Sequence, residues 1–258
     1  MKPKKHLGQH FLKNKFYLNL IAKSLEIKKE DVILELGAGG GNLTCYLQKA
    51  KKIIAVEIDK NLVEILKRKK IKNLKIISED LRKLDLNLLI KKYQVTKICG
   101  NIPYYLSGFL LREILELKTF PQLLVFLLQK EVGQKIIAKN KKENFLSIAF
   151  KLVGEPKIIA TLKKELFFPP PKIDSVILKI NFFKKQKPLE FRTKFYKFLK
   201  LGFLHPNKFL ISNLAEVYPK EKLKEIFRSQ NLSLKSRAHQ LSLDHWLLLF
   251  KKLQRKTI

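Results

Sequence analysis

The sequence holds only two cysteines, Cys45 and Cys99, and no Cys/His spacing of the kind that grips a metal. This excludes a disulfide framework and leaves no metal site to expect. Both cysteines lie in apolar segments, as suits reduced core thiols in a cytoplasmic protein. Long apolar runs are also missing. The longest, "LLVFLL" at residues 123–128, is far too short to span a bilayer. The opening "MKPKKHLGQHFLKNK" is basic but has no apolar stretch, so no secretory signal is expected. No internal repeat or long low-complexity tract is present. Acidic residues are scarce, 22 against 54 Lys and Arg.

That imbalance gives a formal net charge of +32 and a pI near 10.1. A balance this basic points to a polyanionic partner such as nucleic acid. Two other sources of the charge compete. Lysine, asparagine, isoleucine and phenylalanine are all common, as an AT-rich genome produces. An anionic membrane surface also attracts lysines, but no basic amphipathic helix stands out as an anchor. With 46% hydrophobic residues in 258, a core forms without staples.

Apolar, partly β-branched runs predict strands at 32–36, 52–59, 74–80, 95–100 and 122–129. Helical spacing is read at 16–26, from 42, at 60–69, from 106, at 130–139 and at 144–153. A late, hairpin-like strand pair is expected near 157–163 and 174–181. Strands alternating with helices predict an α/β fold with a doubly wound, mostly parallel sheet. After Ile180 a basic, proline-containing stretch reads as a linker. Beyond it only helical periodicity remains, near 191–203, 207–216, 220–228 and 239–252. The expected division is a sheet domain over 1–183 and a small all-helical domain over 184–258.

Three features fall at strand ends. "ELGAGGG" places Gly37, Gly39 and Gly41 just after the first strand, where missing side chains permit a tight turn and close ligand approach. A dinucleotide fingerprint would need glycine where Asn42 stands. Glu57 ends the second strand, where a carboxylate can accept both hydroxyls of a ribose. Asp80 ends the third, where it could accept from an adenine amine. Together they predict an adenosine site, and their order resembles class I, Rossmann-like methyltransferases that use S-adenosylmethionine.

The fourth strand runs into "GNIPYYLS", residues 100–107. Asn101, Pro103, Tyr104 and Tyr105 are expected on a strand-to-helix loop at the ligand-binding edge of the sheet. An exocyclic base amine is a poor nucleophile, because its lone pair is delocalised into the ring. The Asn101 side-chain oxygen and a backbone carbonyl at Ile102 or Pro103 could accept its two hydrogens and favour a pyramidal nitrogen. Proline fixes φ and has no N–H, which helps hold that carbonyl. Tyr104 offers a ring for an unstacked base.

With these segments in hand, the chain resembles the ribosomal RNA adenine dimethyltransferase family. The matching stretches are "LGQHFL", "ELGAGGGNLT", "AVEID", "SEDL", "GNIPYYLS", "LQKEV", "FFPPPKIDSVILKI" and "SRAHQLSLDHW", in order from residue 7 to about 246. The resemblance implies methyl transfer from S-adenosylmethionine to two adjacent adenines in a 3′-terminal hairpin of 16S rRNA, in the immature small ribosomal subunit. It implies that His10 and Leu12 close over the cofactor, with Gly37, Gly39, Glu57, Asp80 and Asn101 also binding it. Asn101, Pro103, Tyr104 and Phe167 would serve catalysis, Phe167 as a second aromatic wall facing Tyr104. Lys172 would contact phosphate. A related enzyme acting on 23S rRNA and a non-catalytic assembly factor are the alternatives; the first and last motifs favour 16S rRNA, and the intact Asn101 loop and Glu57 favour catalysis. Two departures stand out. "HPNKFLISNL", residues 205–214, keeps only Lys208 clearly basic where the family has several arginines. Asn144 replaces a family glycine, and asparagine tolerates positive φ. A monomer is expected.

Overall fold

Residues 3–4 and 7–254 are described by the computed structural model of the chain. The predicted apolar runs become strands β2 (Val32–Leu36), β3 (Lys52–Val56), β4 (Leu74–Ile77), β5 (Lys97–Asn101) and β6 (Leu123–Gln129). Their partners are β7 (Gly154–Leu162) and β9 (Ser175–Phe182), in the order β4-β3-β2-β5-β6-β9-β7. From β4 to β6 neighbouring strands run parallel, while β9 joins β6 antiparallel, with Leu124 opposite Ile180. Strands covered on both faces are mostly apolar. All five residues of β2 are accordingly buried.

Helices α1 (Lys15–Ser24), α2 (Lys60–Arg68), α3 (Leu86–Tyr93) and α4 (Ser107–Leu115) belong to this sheet unit. The sequence reading missed α3, although Asp85 caps it by accepting from the Leu88 N–H. Gln94 then ends it at φ +53°. One predicted helix does not form. After the glycine turn the chain makes only short turns and a single 3₁₀ stretch, Thr44–Tyr46. Gly37, Gly39 and Gly41 all take positive φ, and Asn42 spends its side chain on Leu12 O, at 3.1 Å, instead of capping a helix.

A separate two-stranded sheet pairs β1 (Phe11–Leu12) with β8 (Phe167–Phe168), antiparallel, with Phe11 opposite Phe168 and Leu12 opposite Phe167. It ties the "LGQHFL" segment to the triple-proline segment. β5 and β2 approach closely at Gly100, where a Cβ would lie 2.3 Å from Leu36 O.

Contacts divide the chain differently from the expected boundary at 183/184. The sheet unit runs to Gly133 and resumes over Glu155–Lys184; the second unit combines Gln134–Gly154 with the chain from Lys185 onward. The segment groups with the C-terminal helices because α6 (Phe145–Val153) is apolar nearly all round and packs on α7 (Leu189–Gly202) and α10 (Leu243–Gln254). α5 (Lys130–Ile136), α8 (Leu210–Leu214) and α9 (Lys220–Ser229) complete the helices. Inside the second unit the fully buried Trp246 stacks on Phe203 and meets Phe198 edge-on. Asn144 sits at φ −148°, not at positive φ. It caps α6 by accepting from the Ser147 N–H while Ser147 Oγ accepts from its own N–H, so capping explains this residue.

Candidate active site

The carboxyl ends of β2, β3 and β5, with the turn that follows β4, line one cavity. Parallel strands bring their tips to one edge, so residues far apart in sequence converge there. Of the residues assigned to catalysis or cofactor binding, only Phe167 is off its wall. Asn101 is the last residue of β5 rather than part of the loop.

Phe167 requires a correction. It is 4% exposed and packs in the core with Leu12, Leu18 and Ile21, because strand alternation turns it inward opposite Leu12. The same alternation turns Phe168 outward, at 50% exposed. In this structure Phe167 is thus a core residue and does not line the cavity beside Tyr104.

The glycine loop and the carboxylate of Glu57 form one unit. Glu57 Oε2 accepts from the Gly39 N–H at 2.8 Å and Oε1 from the Asp59 N–H at 2.9 Å. Burial pushes the Glu57 carboxyl above the usual range, while those two N–H groups hold it back toward the ionised form. Glu35, the acid that leads the glycine pattern in "ELGAGGG", also lines the cavity. Its full burial raises it to about 8, against the Thr44 hydroxyl and with repulsion from Glu57. Its Oε2 has no hydrogen-bond partner among the described residues. Asp80 lies on the wall, but its carboxylate is gripped by Arg82, with Nη2 to Oδ2 at 2.6 Å, which holds it below the usual carboxylate range.

A strap formed by residues 7–12 closes one side of the cavity, with Lys4 holding its root. Lys4 Nζ and Gln9 Nε2 both donate to Asp59, at 2.8 and 3.1 Å. Burial would raise Asp59, but these hydrogen bonds outweigh it and leave the group lowered. His10 touches three segments. Its carbonyl accepts from Asn101 Nδ2 at 2.8 Å, its Nδ1–H donates to Pro169 O at 2.7 Å, and its ring stacks on Tyr104 at 5.5 Å. Tyr104 OH shares a 2.6 Å hydrogen bond with the buried Ser175. Gln9, Asn42, Asp59 and Ser175 were invisible as site residues, because each acts through a partner distant in sequence. Among the described residues no three His, Cys, Asp or Glu side chains cluster as a metal site, and no helix is long and apolar enough to cross a membrane.

The cavity combines a carboxylate suited to vicinal hydroxyls, an amide acceptor at a strand tip and a stacked ring beside it. The family model for ribosomal RNA adenine dimethylase matches residues 1–255. The chain is 37% identical over 261 residues to a ribosomal RNA small subunit methyltransferase A of Fusobacterium nucleatum subsp. nucleatum, with 97% of each chain covered. It is 35% identical over 260 residues to the like-named protein of Mycoplasma mycoides subsp. mycoides, again covering 97% of each. Among solved structures, a dimethyladenosine transferase from Plasmodium falciparum superposes with a TM-score of 0.79 at 24% identity, covering 93% of this chain and 96% of that one. The 23S rRNA methyltransferase ErmE superposes at 0.76 and 21%, covering 95% and 100%. Both structures share the Rossmann-like methyltransferase fold with this chain.

Proposed function

The chain belongs to the ribosomal RNA adenine dimethylase family, and from that premise we infer that it is an rRNA adenine-N6 dimethyltransferase acting on two adjacent adenines of 16S rRNA. The observation that carries the chemistry is the fixed orientation of Asn101. Its Nδ2 is committed to a carbonyl, so its Oδ1 is the atom left to accept from a substrate amine.

S-adenosylmethionine is the cofactor we propose, and the residues present fit it. Glu57 holds a ribose diol with the lone pairs left by its two N–H partners, and glycine at 37 and 39 keeps Cβ atoms out of the space before it. His10 and Leu12 on the strap cover the cofactor. When bound, the cofactor supplies a methyl carbon activated by a sulfonium. The chain's own work is then positioning. Asn101 Oδ1 takes one amine hydrogen. Pro103 O already accepts from the Leu106 N–H at 2.9 Å, so of the two backbone carbonyls the Ile102 carbonyl, with no such turn bond, is the second acceptor we favour. Pro103, at φ −54° and without an N–H, holds that turn. The base lies against the Tyr104–His10 pair. We give Phe167 no catalytic part beyond supporting β8.

The excess of lysine supports RNA as the partner, with the helices of the second unit taking part in its recognition and Lys172, exposed, touching phosphate. We propose that the chain acts as a monomer in the cytoplasm. Incubating the protein with labelled cofactor and immature small subunits, or with 23S rRNA, and digesting the RNA for mass spectrometry tests the reading. Dimethyladenosine in the small-subunit RNA alone is the expected result; label only in 23S rRNA, or none, overturns it.

A further inference from the structure

The β1–β8 pair leaves one large aromatic ring facing out at the rim of the site. Phe168 is half exposed although its strand neighbour Phe167 is fully packed. Lys13 Nζ lies over the Phe168 ring, 4.5 Å from its centroid. Lys13 makes no other polar contact among the described residues, so its charge is not neutralised by a carboxylate. Nearby in sequence, Phe16 is 69% exposed, and Lys15 and Lys172 are exposed as well. The next residue after Phe168, Pro169, accepts from His10, whose ring stacks on Tyr104. An open ring paired across the β1–β8 ladder with Phe11, which lines the cavity, and with a lysine over it, is the pairing that single-stranded nucleic acid uses: a face for a base and a cation for its phosphate.

We propose that Phe168 and Lys13 form a stacking platform for the nucleotide next to the adenine being methylated. This rests on the reading of the chain as an adenine methyltransferase. Extruding one adenine into the cavity strips its neighbour of a stacking partner. Phe168 replaces that partner, and Lys13 swings from the ring to the phosphate between the two nucleotides. Because the two target adenines are adjacent, the platform holds whichever is not reacting and keeps the strand in register for the second.

The test uses the full chain and a single-stranded RNA carrying 2-aminopurine beside a target adenine. The variants are Phe168→Leu, which keeps bulk without the ring, and Phe168→Trp, which keeps a ring. Stacking quenches the probe. The wild type and Phe168→Trp should quench it, and Phe168→Leu should not, with RNA binding weakened roughly 5- to 100-fold. Lys13→Gln should lower the salt dependence of binding by about one counterion. Binding of S-adenosylhomocysteine, measured calorimetrically, should be the same in all four proteins, which excludes a folding defect. Quenching in Phe168→Leu equal to wild type, or none in either, overturns the platform even if methyl transfer proceeds. Absence of methyl transfer by the wild type on immature small subunits would instead overturn the function, and the platform with it.

Discussion

Asn101 and His10, 91 residues apart, are joined by a 2.8 Å hydrogen bond from the Asn101 amide nitrogen to the His10 carbonyl. A carbonyl cannot donate, so the bond decides which end of the amide meets the strap and which is left over. Asn101→Ala should cut single-turnover methyl transfer by about 10²–10³-fold, the cost typical of losing a transition-state hydrogen bond. Asn101→Asp keeps an acceptor but cannot donate to His10, and it should fall nearly as far. A wild-type rate in the Asp variant would show that the orientation does not matter. RNA affinity, measured separately, should change little.

Glu57 has each oxygen opposite a backbone N–H. Glutamine at this position would turn an NH₂ toward one of those donors. Glu57→Gln should therefore weaken cofactor binding by roughly 10–100-fold, the size of losing a charge-assisted hydrogen bond. RNA affinity should hold. Calorimetry with S-adenosylhomocysteine reads the first quantity, and equal affinity in the two proteins would remove Glu57 from the ribose site.

The buried Glu35 makes a prediction about pH. Its carboxyl is raised from 4.5 unfolded to about 8 folded, chiefly by burial. Between those values the folded chain keeps a proton that the unfolded chain has lost. This group's contribution to stability is therefore fully present below about 4.5 and is lost as pH rises toward about 8. Glu35→Gln removes the titration. The melting temperature of the variant relative to wild type should rise from pH 5 to pH 8; a constant difference would refute the shift.

Tyr104 shares its hydroxyl with Ser175, which is fully buried. Tyr104→Phe leaves the serine hydroxyl without that partner and should cost about 1–3 kcal/mol of stability. It should still transfer methyl groups, because the ring is retained. Tyr104→Leu should lose far more activity than Tyr104→Phe. Equal losses in a rate assay would count against the ring as the surface for the base.

Gly100 provides a purely structural contrast next to Asn101. An added Cβ would sit 2.3 Å from Leu36 O, a backbone atom of the adjoining strand that has nowhere to move. Gly100→Ala should lower the melting temperature sharply or prevent soluble folding. An alanine variant with wild-type stability would show that β2 and β5 can separate.

Much of this protein was written in its local sequence. Buried parallel strands are largely apolar, so β2, β3, β5 and β6 were readable as runs despite Glu35 and Lys97. Acids closing β3 and β4, with glycines closing β2, marked the binding edge because few other residues suit those tips. The helix expected after Asn42 was misread, since four glycines and one asparagine serve a turn as well as a helix start, and α3 was missed although Asp85 caps it. What only the tertiary structure decided is the use of residues whose partners are remote. The pairing of Leu12 with Phe167 chose which of two adjacent phenylalanines entered the core. Asn42 reached Leu12 O, Gln9 reached Asp59, and Asn101 reached His10 O. A side chain's hydrogen bond to a distant backbone leaves no periodicity, and a strand's register flips every face with a shift of one residue. Those facts exist only once the chain has closed on itself.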